Sequence, residues 1–284
     1  MTGGSGLASK ININLATASE EKGWAIGLGS TRALLESKAH EESFLIRTHA
    51  KTVPLIANLG AVQFNYGYGV EECQRIIDRT EADSLVLHLN SLQEVVQDEG
   101  DLNFENLLPK IEDVCKNLTV PVGVKEVGFG IDGSVAKKLY DVGVSYIDVA
   151  GAGGTSWSQV EKLRSKDPLR KAAAEAFNSW GIPTKDCIVS VKSQLPKTPI
   201  VASGGMKTGL DAAKAITIGA DIVGFARTLL QAATESVDSV IERMDQIEFE
   251  MKITMFGIGA IDLKALKNTN RVSIMGRSLL DEKL

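Results

Sequence analysis

Two glycine-rich stretches late in the chain decide the fold: Ala202-Ser-Gly-Gly-Met-Lys-Thr-Gly209 and Gly219-Ala-Asp-Ile-Val-Gly-Phe-Ala-Arg227. Each combines a short apolar run with glycines and leads into a helix-like segment. Glycines after a buried strand allow backbone N–H groups to face a phosphate, and the N-terminus of the next helix adds its dipole. A tight turn alone would explain one such loop. Two in succession predict a phosphate site, which α/β barrels place after strands 7 and 8.

Upstream of these loops, short apolar runs alternate with helix-like patterns. The seven predicted strands are Trp24–Ser30, Pro54–Gly60, Ser84–Asn90, Val122–Val127, Ser145–Ala150, Pro199–Ser203 and Ile222–Ala226. The predicted helices are Leu7–Lys22, Arg32–Arg47, Val70–Arg79, Phe104–Leu118, Ser134–Asp141, Leu210–Ile218 and Leu229–Met255, with room for an extra helix in Gly151–Lys197. Continuous apolar runs joined by helices are typical of parallel strands covered on both faces. The pattern predicts an α/β protein with a TIM (β/α)8-type barrel, and a doubly wound sheet is the alternative.

The pattern contains seven strands, whereas a barrel of this type needs eight. The chain opens on Met1-Thr-Gly-Gly-Ser5 and enters a helix directly, so Met1–Gly4 is interpreted as the loop after a first strand missing from this chain. A sheet without that strand would have two unpaired edges. We therefore expect this chain to express poorly and to be nearly inactive, and a version extended upstream to be yellow and active.

Composition and charge limit the classes of function. The chain has 284 residues, with 31 Lys and Arg against 36 Asp and Glu, and a formal net charge of −5. This mild acidity argues against nucleic acid or an anionic membrane surface as the main partner. The sequence offers neither an apolar stretch of spanning length nor a cleavable secretory segment. The cysteines Cys73, Cys115 and Cys187 lack metal-type spacing, so we expect a cytoplasmic protein without a disulfide framework.

Lys125 interrupts the apolar run Val122–Val127. A lysine in such a run must reach a polar end of the strand or pair with an anion, because an isolated buried charge is costly. An ion pair with Glu126 is the structural alternative. The functional interpretation is a cation at a strand end, next to a ring or a phosphate.

Four polar residues follow one another closely at the end of the third predicted strand: His88, Asn90, Gln93 and Glu94. A lone histidine is more often a core residue, but four convergent polar groups are not typical of a core. Glu94 is a candidate Mg²⁺ ligand, since Mg²⁺ accepts few protein ligands and shares substrate phosphates. Other strand ends carry single polar residues, namely Ser30, Arg32, Asn58 and Thr155.

Motifs spread along the whole chain resemble one family. They are Met1-Thr-Gly-Gly4, Gly29-Ser-Thr-Arg32, Ile56-Ala-Asn-Leu-Gly60, Leu87-His-Leu-Asn-Ser-Leu-Gln-Glu94, Val124-Lys-Glu-Val-Gly128, Gly151-Ala-Gly-Gly-Thr-Ser-Trp157, Ser203-Gly-Gly-Met206, Asp211-Ala-Ala-Lys-Ala215 and Gly224-Phe-Ala-Arg227. Together they resemble the type 2, flavin-dependent isopentenyl-diphosphate isomerases from the first residue to about residue 270. The fourth and sixth motifs are specific to that family, whereas the Ser-Gly-Gly loop is shared by many FMN barrels. Ser156 stands where many relatives have Asn, a small departure.

The resemblance implies a single FMN-binding α/β barrel domain, residues 1–284, that interconverts isopentenyl and dimethylallyl diphosphate in isoprenoid precursor biosynthesis. The FMN contacts it implies are Met1, Thr2, Ser30, Asn58, Lys125 and Thr155, with the phosphate on Gly204, Gly205, Met206, Ala226 and Arg227. The substrate contacts it implies are Ser30, Thr31, Arg32, His88, Asn90, Gln93, Trp157 and Glu161. Gln93 would assist reduced FMN in moving protons, and Glu94 would hold Mg²⁺. NADPH as the reductant of FMN, a diphosphate substrate, and a tetramer or octamer are further implications.

Two other functions stay open from the sequence alone. The first is another FMN-dependent barrel, either a 2-hydroxy-acid oxidase or a nucleotide dehydrogenase. The sequence shows no strand-end His–Asp dyad with carboxylate-binding arginines for the oxidase, and Cys187 is a weak candidate for the dehydrogenase nucleophile. The second is a barrel that has lost catalysis, against which Gln93, Glu94 and Lys125 argue.

Overall fold

The computed structural model describes residues 6–37 and 41–272. In this part of the chain, seven parallel strands form one sheet whose strand order follows the sequence. The strands are β1 Ile26–Gly27, β2 Leu55–Gly60, β3 Ser84–His88, β4 Val122–Lys125, β5 Tyr146–Asp148, β6 Ile200–Ala202 and β7 Ile222–Val223. A doubly wound sheet would reverse its strand order at a switch point. The unbroken order therefore confirms the barrel-type α/β fold with its seven strands.

Helices connect the strands and cover the sheet. They are α1 Gly6–Lys22, α2 Arg32–Glu36, α3 Val70–Thr80, α4 Ser91–Val96, α5 Leu107–Asn117, α6 Gly133–Asp141, α7 Trp157–Arg164, α8 Pro168–Glu175, α9 Thr184–Gln194, α10 Gly209–Thr217, α11 Arg227–Glu235, α12 Val237–Ile258 and α13 Leu263–Lys267. Each predicted strand is confirmed, with ends that differ by at most three residues. The stretch between β5 and β6 holds three helices, α7 to α9, where one extra helix was predicted.

The predicted helix Arg32–Arg47 is wrong beyond Glu36. Ser37 adopts an extended backbone that ends α2, and residues 38–40 lie outside the described ranges. From residue 41 onward the chain follows turns that bury both Phe44 and Ile46. Two large side chains two residues apart cannot both enter the core from one face of a helix, since helical neighbours on one face are three or four residues apart. The tertiary packing therefore overrides the local periodicity.

The main apolar core lies between the sheet and its helices. Five consecutive strands each contribute a fully buried side chain, namely Leu55, Leu85, Val124, Ile147 and Ile200. Strands buried on both faces produce the continuous apolar runs seen in the sequence. The polar side chains are consequently confined to the strand ends, where the candidate site lies.

Helix α1, at the start of the described chain, packs against helices near its end. Strands β1 and β7 are the edges of the sheet within these residues, and they do not pair with each other. Ile11 of α1 belongs to a second apolar cluster that includes Leu229 of α11 and Met244 of α12. The Lys22 ammonium forms an ion pair of 2.5 Å with Asp245 of α12. Helix α1 is therefore anchored to α11 and α12 as well as to the sheet.

The ring of Tyr146 on β5 packs over Gly123 on β4. The two residues are register partners, and the Tyr146 hydroxyl is 2.9 Å from the Ser84 hydroxyl of β3. Burial raises the pKa of Tyr146 to about 12. A Cβ atom added to Gly123 would lie 2.1 Å from Cζ of the tyrosine ring. Gly123 therefore supplies the space that the ring occupies.

We predict that Gly123→Ala lowers the free energy of unfolding by about 1–3 kcal/mol, the usual cost of overpacking a core. Because the clash is with one ring, Tyr146→Leu should relieve it. The double variant should therefore lose less unfolding free energy than the two single variants lose together. Urea denaturation of the two single variants and the double variant measures this coupling. Additive losses would show that the ring does not restrict position 123.

Candidate active site

Five polar side chains line up near the carboxyl ends of β2 to β6, and we call them the strand-end row: Asn58, His88, Lys125, Asp148 and Ser203. His88 is the register partner of Lys125, and Lys125 is the register partner of Asp148. Asn58 Oδ1 is 2.9 Å from His88 Nδ1, and the Ser203 hydroxyl donates to Asp148 Oδ1 at 2.6 Å. Parallel register thus brings the predicted FMN residues Asn58 and Lys125 together with the predicted substrate residue His88.

His88 is held as a neutral ring. Asn58 Nδ2 donates to the Leu28 carbonyl at 3.1 Å, which leaves Asn58 Oδ1 to accept from His88 Nδ1. Burial, and then the charge of Lys125, lowers the pKa of His88 to about 3. Nε2 of the ring is therefore an acceptor at neutral pH. Gly60 makes room for it, since a Cβ there would lie 3.1 Å from Nε2.

Lys125 is a cation with spare donors. Its Nζ donates to the Glu126 carbonyl at 3.1 Å, and the described residues offer it no second acceptor. Burial lowers the pKa of Lys125, while the Asp148 and Glu126 carboxylates oppose this shift. The Glu126 carboxylate instead accepts the backbone N–H groups of residues 127, 128 and 129 at 2.6, 3.0 and 2.6 Å. The hydrogen-bonded Lys125–Glu126 ion pair, the structural alternative, is therefore absent from this part of the chain.

The two glycine-rich loops lie side by side because β6 pairs with β7. The Thr228 hydroxyl of α11 donates to the Met206 carbonyl at 2.7 Å and ties the loops together. Among the described residues, the backbone N–H groups of Gly204, Gly205, Met206 and Ala226 have no acceptor. Unsatisfied N–H groups beside the N-terminus of a helix form an anion site. The side chain of Arg227 is exposed at the same place.

The segment 151–154 supports the glycine loop from behind. Gly205 has φ +82°, and a Cβ there would lie 2.4 Å from the carbonyl carbon of Gly153. The Gly151 N–H donates to the Ser203 carbonyl at 3.0 Å. The Thr184 hydroxyl of α9 donates to the Gly204 carbonyl at 2.6 Å. The carbonyls of the loop are thereby turned toward the protein, which leaves its N–H groups free.

A second group of side chains, the carboxylate cluster, consists of Asn90, Gln93, Glu94 and Glu161. Asn90 Nδ2 donates to Glu94 Oε1 at 2.7 Å, and Gln93 Nε2 donates to Glu161 Oε1 at 3.1 Å. Asn90 Oδ1 is the one buried side-chain polar atom of the described chain that has no partner. An orphaned carbonyl oxygen beside a carboxylate is a hard donor set of the kind that Mg²⁺ prefers.

Helices α7 and α8 carry Glu161 to this cluster. Arg170 of α8 donates to the carbonyls of Val95 and Gln97 at 2.8 and 2.6 Å, and Asp98 accepts from the Ser165 hydroxyl. These bonds hold the two helices against α4, which contains Gln93 and Glu94. Trp157 is the first residue of α7 and is half-buried.

Arg32 and Thr31 already have protein partners. Arg32 is exposed and pairs with Glu36 at 2.6 Å and with Asp101 at 2.9 Å. The backbone N–H of Asp101 donates to Glu94 Oε2 at 2.8 Å, so Arg32 is linked to the carboxylate cluster. The Thr31 hydroxyl donates to the Asn58 carbonyl at 2.8 Å, and this bond stabilises the loop between β1 and α2.

The remaining predicted contacts are distributed differently. Ser30 is exposed next to Thr31, and Thr155 is half-buried, with its carbonyl against Gly128. Met1 and Thr2 lie outside the described residues. Cys187 is buried, and burial raises the pKa of its thiol to about 11, so it lacks the thiolate character that a nucleophile needs.

Two features are absent from the described ranges, a preformed metal cluster and a membrane-crossing helix. No group of three or more His, Cys, Asp or Glu side chains is arranged to hold a metal ion in residues 6–37 and 41–272. In the same residues, no helix combines the length and the apolar content that crossing a membrane requires.

Comparison with known proteins identifies the family. The model of the FMN-dependent dehydrogenase family matches residues 86–273. An isopentenyl-diphosphate delta-isomerase of Oceanobacillus iheyensis is 75% identical over 282 residues, covering 99% of this chain and 81% of that protein. The chain belongs to the FMN-dependent isopentenyl-diphosphate delta-isomerase family. Isopentenyl-diphosphate delta-isomerases of Rickettsia bellii and Nostoc are 48% and 47% identical over 94% and 95% of this chain, and 78% and 77% of those proteins are covered. The resemblance drawn from the motifs is therefore confirmed.

Two solved oxidase structures have a similar fold. A lactate oxidase of Pediococcus acidilactici matches 91% of this chain and 70% of its own, with a TM-score of 0.67 and 16% identity. A mandelate oxidase matches 90% of this chain and 72% of its own, with a TM-score of 0.63 and 16% identity. At this identity the likeness concerns the fold alone.

FMN fits the residues that the structure brings together. The glycine loops present free N–H groups for a phosphate, and Lys125 presents spare donors for the polar parts of the ring and ribityl chain. Two residues of this site, Asp148 and Thr184, were not among the candidates from the sequence. Asp148 interrupts an apolar run just as Lys125 does, so the same rule could have found it. Nothing in the local sequence marks Thr184, because its role depends on a contact with a loop twenty residues away.

We predict that Gly205→Ala weakens FMN binding roughly tenfold or more, since hydrogen bonds to a charged group are among the stronger ones. The new Cβ would collide with the Gly153 backbone and displace the N–H groups of the loop. Fluorescence titration of the apoprotein with FMN measures the affinity. Gly257→Ala is the matched control, because a Cβ there has open space, and its affinity should equal that of the wild type. An unchanged affinity of Gly205→Ala would remove this loop from the phosphate site.

Proposed function

We propose that this chain interconverts isopentenyl diphosphate and dimethylallyl diphosphate with FMN bound between the strand-end row and the glycine loops. The observation that carries the proposal is the carboxylate cluster, in which Gln93 bonds to Glu161 beside Asn90 and Glu94. Family membership supports the same activity. We further propose that residues 1–284 act as a single FMN-binding domain.

The state of His88 favours the isomerase over a 2-hydroxy-acid oxidase. An oxidase needs a histidine base to abstract a proton, and a carboxylate partner would stabilise the charged ring. Here the partner of His88 is the Asn58 amide, and the ring is neutral with a pKa of about 3. Its Nε2 is suited to accept a hydrogen bond rather than to take and keep a proton.

The chain's own residues hold the cofactor by charge and by backbone donors. Gly204, Gly205, Met206 and Ala226 would receive the phosphate, and Lys125 would face the polar edge of the ring. When bound and reduced, FMN supplies an electron-rich ring and a proton carrier next to the alkene, whose protonation develops positive charge. Among the other predicted contacts, Ser30, Asn58, Thr155 and Arg227 lie at the same end of the sheet.

The diphosphate group binds away from the reacting carbons, where its binding energy positions the substrate. Asn90 and Glu94 supply oxygen atoms for Mg²⁺, which neutralises diphosphate charge when bound. The Glu94 oxygens accept from Asn90 and from the Asp101 N–H, and each retains a further lone pair. Arg32 would contact the phosphate oxygens, and the neutral His88, whose Nε2 is an acceptor, would lie against the chain that follows them.

Gln93 and Glu161 form the part of the site that handles the substrate's carbon chain. Gln93 donates to Glu161 Oε1, and Glu161 also accepts from Arg164 at 3.4 Å. The Gln93 amide is thereby fixed in orientation, so it can position the alkene for proton transfer beside a carboxylate that is 4% exposed. Trp157 supplies an apolar wall on the same helix.

The proposal has four further parts: the reductant, the oligomer and the substrate are carried over from the family resemblance, and the location and the excluded partners from composition and charge. NADPH would reduce FMN, and the chain would assemble as a homo-oligomer, either a tetramer or an octamer. We expect its location to be the cytoplasm. Its partner would be the small diphosphate substrate, with neither nucleic acid nor membrane required.

The activity is tested with the purified chain, reduced FMN, Mg²⁺ and isopentenyl diphosphate in deuterium oxide. We expect dimethylallyl diphosphate and deuterium exchange at C2, at a low rate in this chain and at a higher rate in the version extended upstream, and an absence of both from the extended version would contradict the proposed function. Gln93→Ala should slow turnover roughly 10²- to 10⁴-fold, the range typical of a lost acid–base contribution. Gln74→Ala is the matched control, since Gln74 lies on α3 outside the carboxylate cluster and bonds to the exposed Asp78. Unchanged C2 exchange in Gln93→Ala would remove Gln93 from the mechanism.

We predict that Glu94→Gln leaves FMN bound and sharply raises the Mg²⁺ concentration needed for half-maximal activity. An amide is a far weaker ligand for a hard cation than a carboxylate. Mg²⁺ titrations of turnover compare the variant with the wild type, and absorbance of the bound flavin shows that the cofactor is retained. Superimposable Mg²⁺ curves would mean that Glu94 is not a ligand.

A further inference from the structure

Asp148 is a carboxylate at the end of β5 that the proposed reaction does not use. Its Oδ1 atom accepts from the Ser203 hydroxyl at 2.6 Å and from the Ala150 N–H at 3.2 Å. Ser203 is the first residue of the glycine loop, directly after β6. On its other side, Asp148 is the register partner of Lys125. One carboxylate therefore lies between the cation and the phosphate loop.

The surroundings of Lys125 contain few other groups that could balance its charge. The Glu126 carboxylate of β4's own loop is bonded to three backbone N–H groups. His88, which faces Lys125 from β3, is neutral. Tyr146 precedes Asp148 on β5 by two residues, and burial keeps its hydroxyl protonated. Burial raises the pKa of Asp148, while the charge of Lys125 and the hydrogen bond from Ser203 oppose this shift. Asp148 is consequently the carboxylate on a neighbouring strand that stabilises the ammonium group.

We propose that Asp148 is a positioning residue of the FMN site, which keeps Lys125 charged and fixes the start of the glycine loop through Ser203. This inference rests on the proposed role of Lys125 and the loop in FMN binding. The proposed role of Asp148 has two parts: a charge effect of the ionised carboxylate on Lys125, and a hydrogen-bond effect of Oδ1 on Ser203. Two substitutions separate them, because Asp148→Asn keeps an oxygen acceptor for Ser203, and Ser203→Ala keeps the charge.

The charge effect has a defined dependence on pH. Burial already lowers the pKa of Lys125, and the charge of Asp148 opposes that shift. In Asp148→Asn the opposition is lost, so the pKa of Lys125 falls further and the ammonium loses its proton as the pH rises. FMN affinity should then decrease more from pH 7 to pH 9 in Asp148→Asn than in the wild type, in a range above the pKa of about 6 of a phosphate monoester.

The experiment measures the Kd of FMN by fluorescence quenching at pH 7 and pH 9. We expect Asp148→Asn to lose roughly tenfold in affinity over this interval, as for the loss of a charged hydrogen bond. The double variant Asp148→Asn/Lys125→Arg should lose this dependence, because a guanidinium stays protonated. Asp141→Asn is the control for net charge, since Asp141 is an exposed carboxylate on α6 paired with Lys137. Ser203→Ala should bind FMN more weakly than the wild type at both pH values and by the same factor.

Each outcome bears on a separate claim. A pH profile of Asp148→Asn equal to that of the wild type would overturn the charge effect. Wild-type affinity in Ser203→Ala would overturn the hydrogen-bond effect, and this variant serves also if Asp148→Asn does not fold. Lys125→Met tests the proposed FMN site by itself, and an unchanged FMN affinity in this variant would remove Lys125 from that site. If Lys125→Met loses affinity while Asp148→Asn and Ser203→Ala do not, the FMN site stands and the positioning role of Asp148 is rejected.

Discussion

The register of seven parallel strands is the constraint on which the site depends. Parallel pairing in sequence order places all carboxyl ends at one edge of the sheet, so residues far apart in sequence become neighbours there. His88, Lys125 and Asp148 are direct register partners across three strands. A slip of one residue in any of these strands would move its polar side chain into the apolar core, which the packing of Leu85, Val124 and Ile147 forbids. Apolar packing therefore determines where the polar groups meet.

The strand-end row contains one cation, one anion and one neutral imidazole. Burying two opposite charges on neighbouring strands rarely stabilises a fold, because the desolvation of both charges offsets their attraction. An apolar pair at Lys125 and Asp148 would fit the rest of the sheet better. Retention of both charges where strands end is the expected sign of a binding site, since natural sequences depart from apolar packing at functional positions. The same logic applies to Asn90, whose carbonyl oxygen is buried without a partner.

Much of this arrangement could be predicted from the sequence. Continuous apolar runs identify the seven strands, glycines after two of them mark the paired glycine-rich loops, and a lysine within an apolar run marks the strand-end cation. The early end of α2 at Glu36 was not predicted, because burial of Phe44 and Ile46 is a tertiary demand. Nor could any local pattern predict that Thr184 fixes the Gly204 carbonyl. Contacts between distant segments follow from the fold as a whole and leave no periodic signal.

The two halves of the site are held by different forces. The cofactor half lies on strands whose positions are fixed by backbone hydrogen bonds and a fully buried core. The substrate half depends on Glu161, which helices α7 and α8 carry into place through side-chain bonds such as that of Arg170 to the Val95 carbonyl. Surface side-chain bonds open at a lower free energy than core strands do. A cofactor that stays bound needs the rigid half, and a substrate that must enter and leave is served by the half that opens more readily.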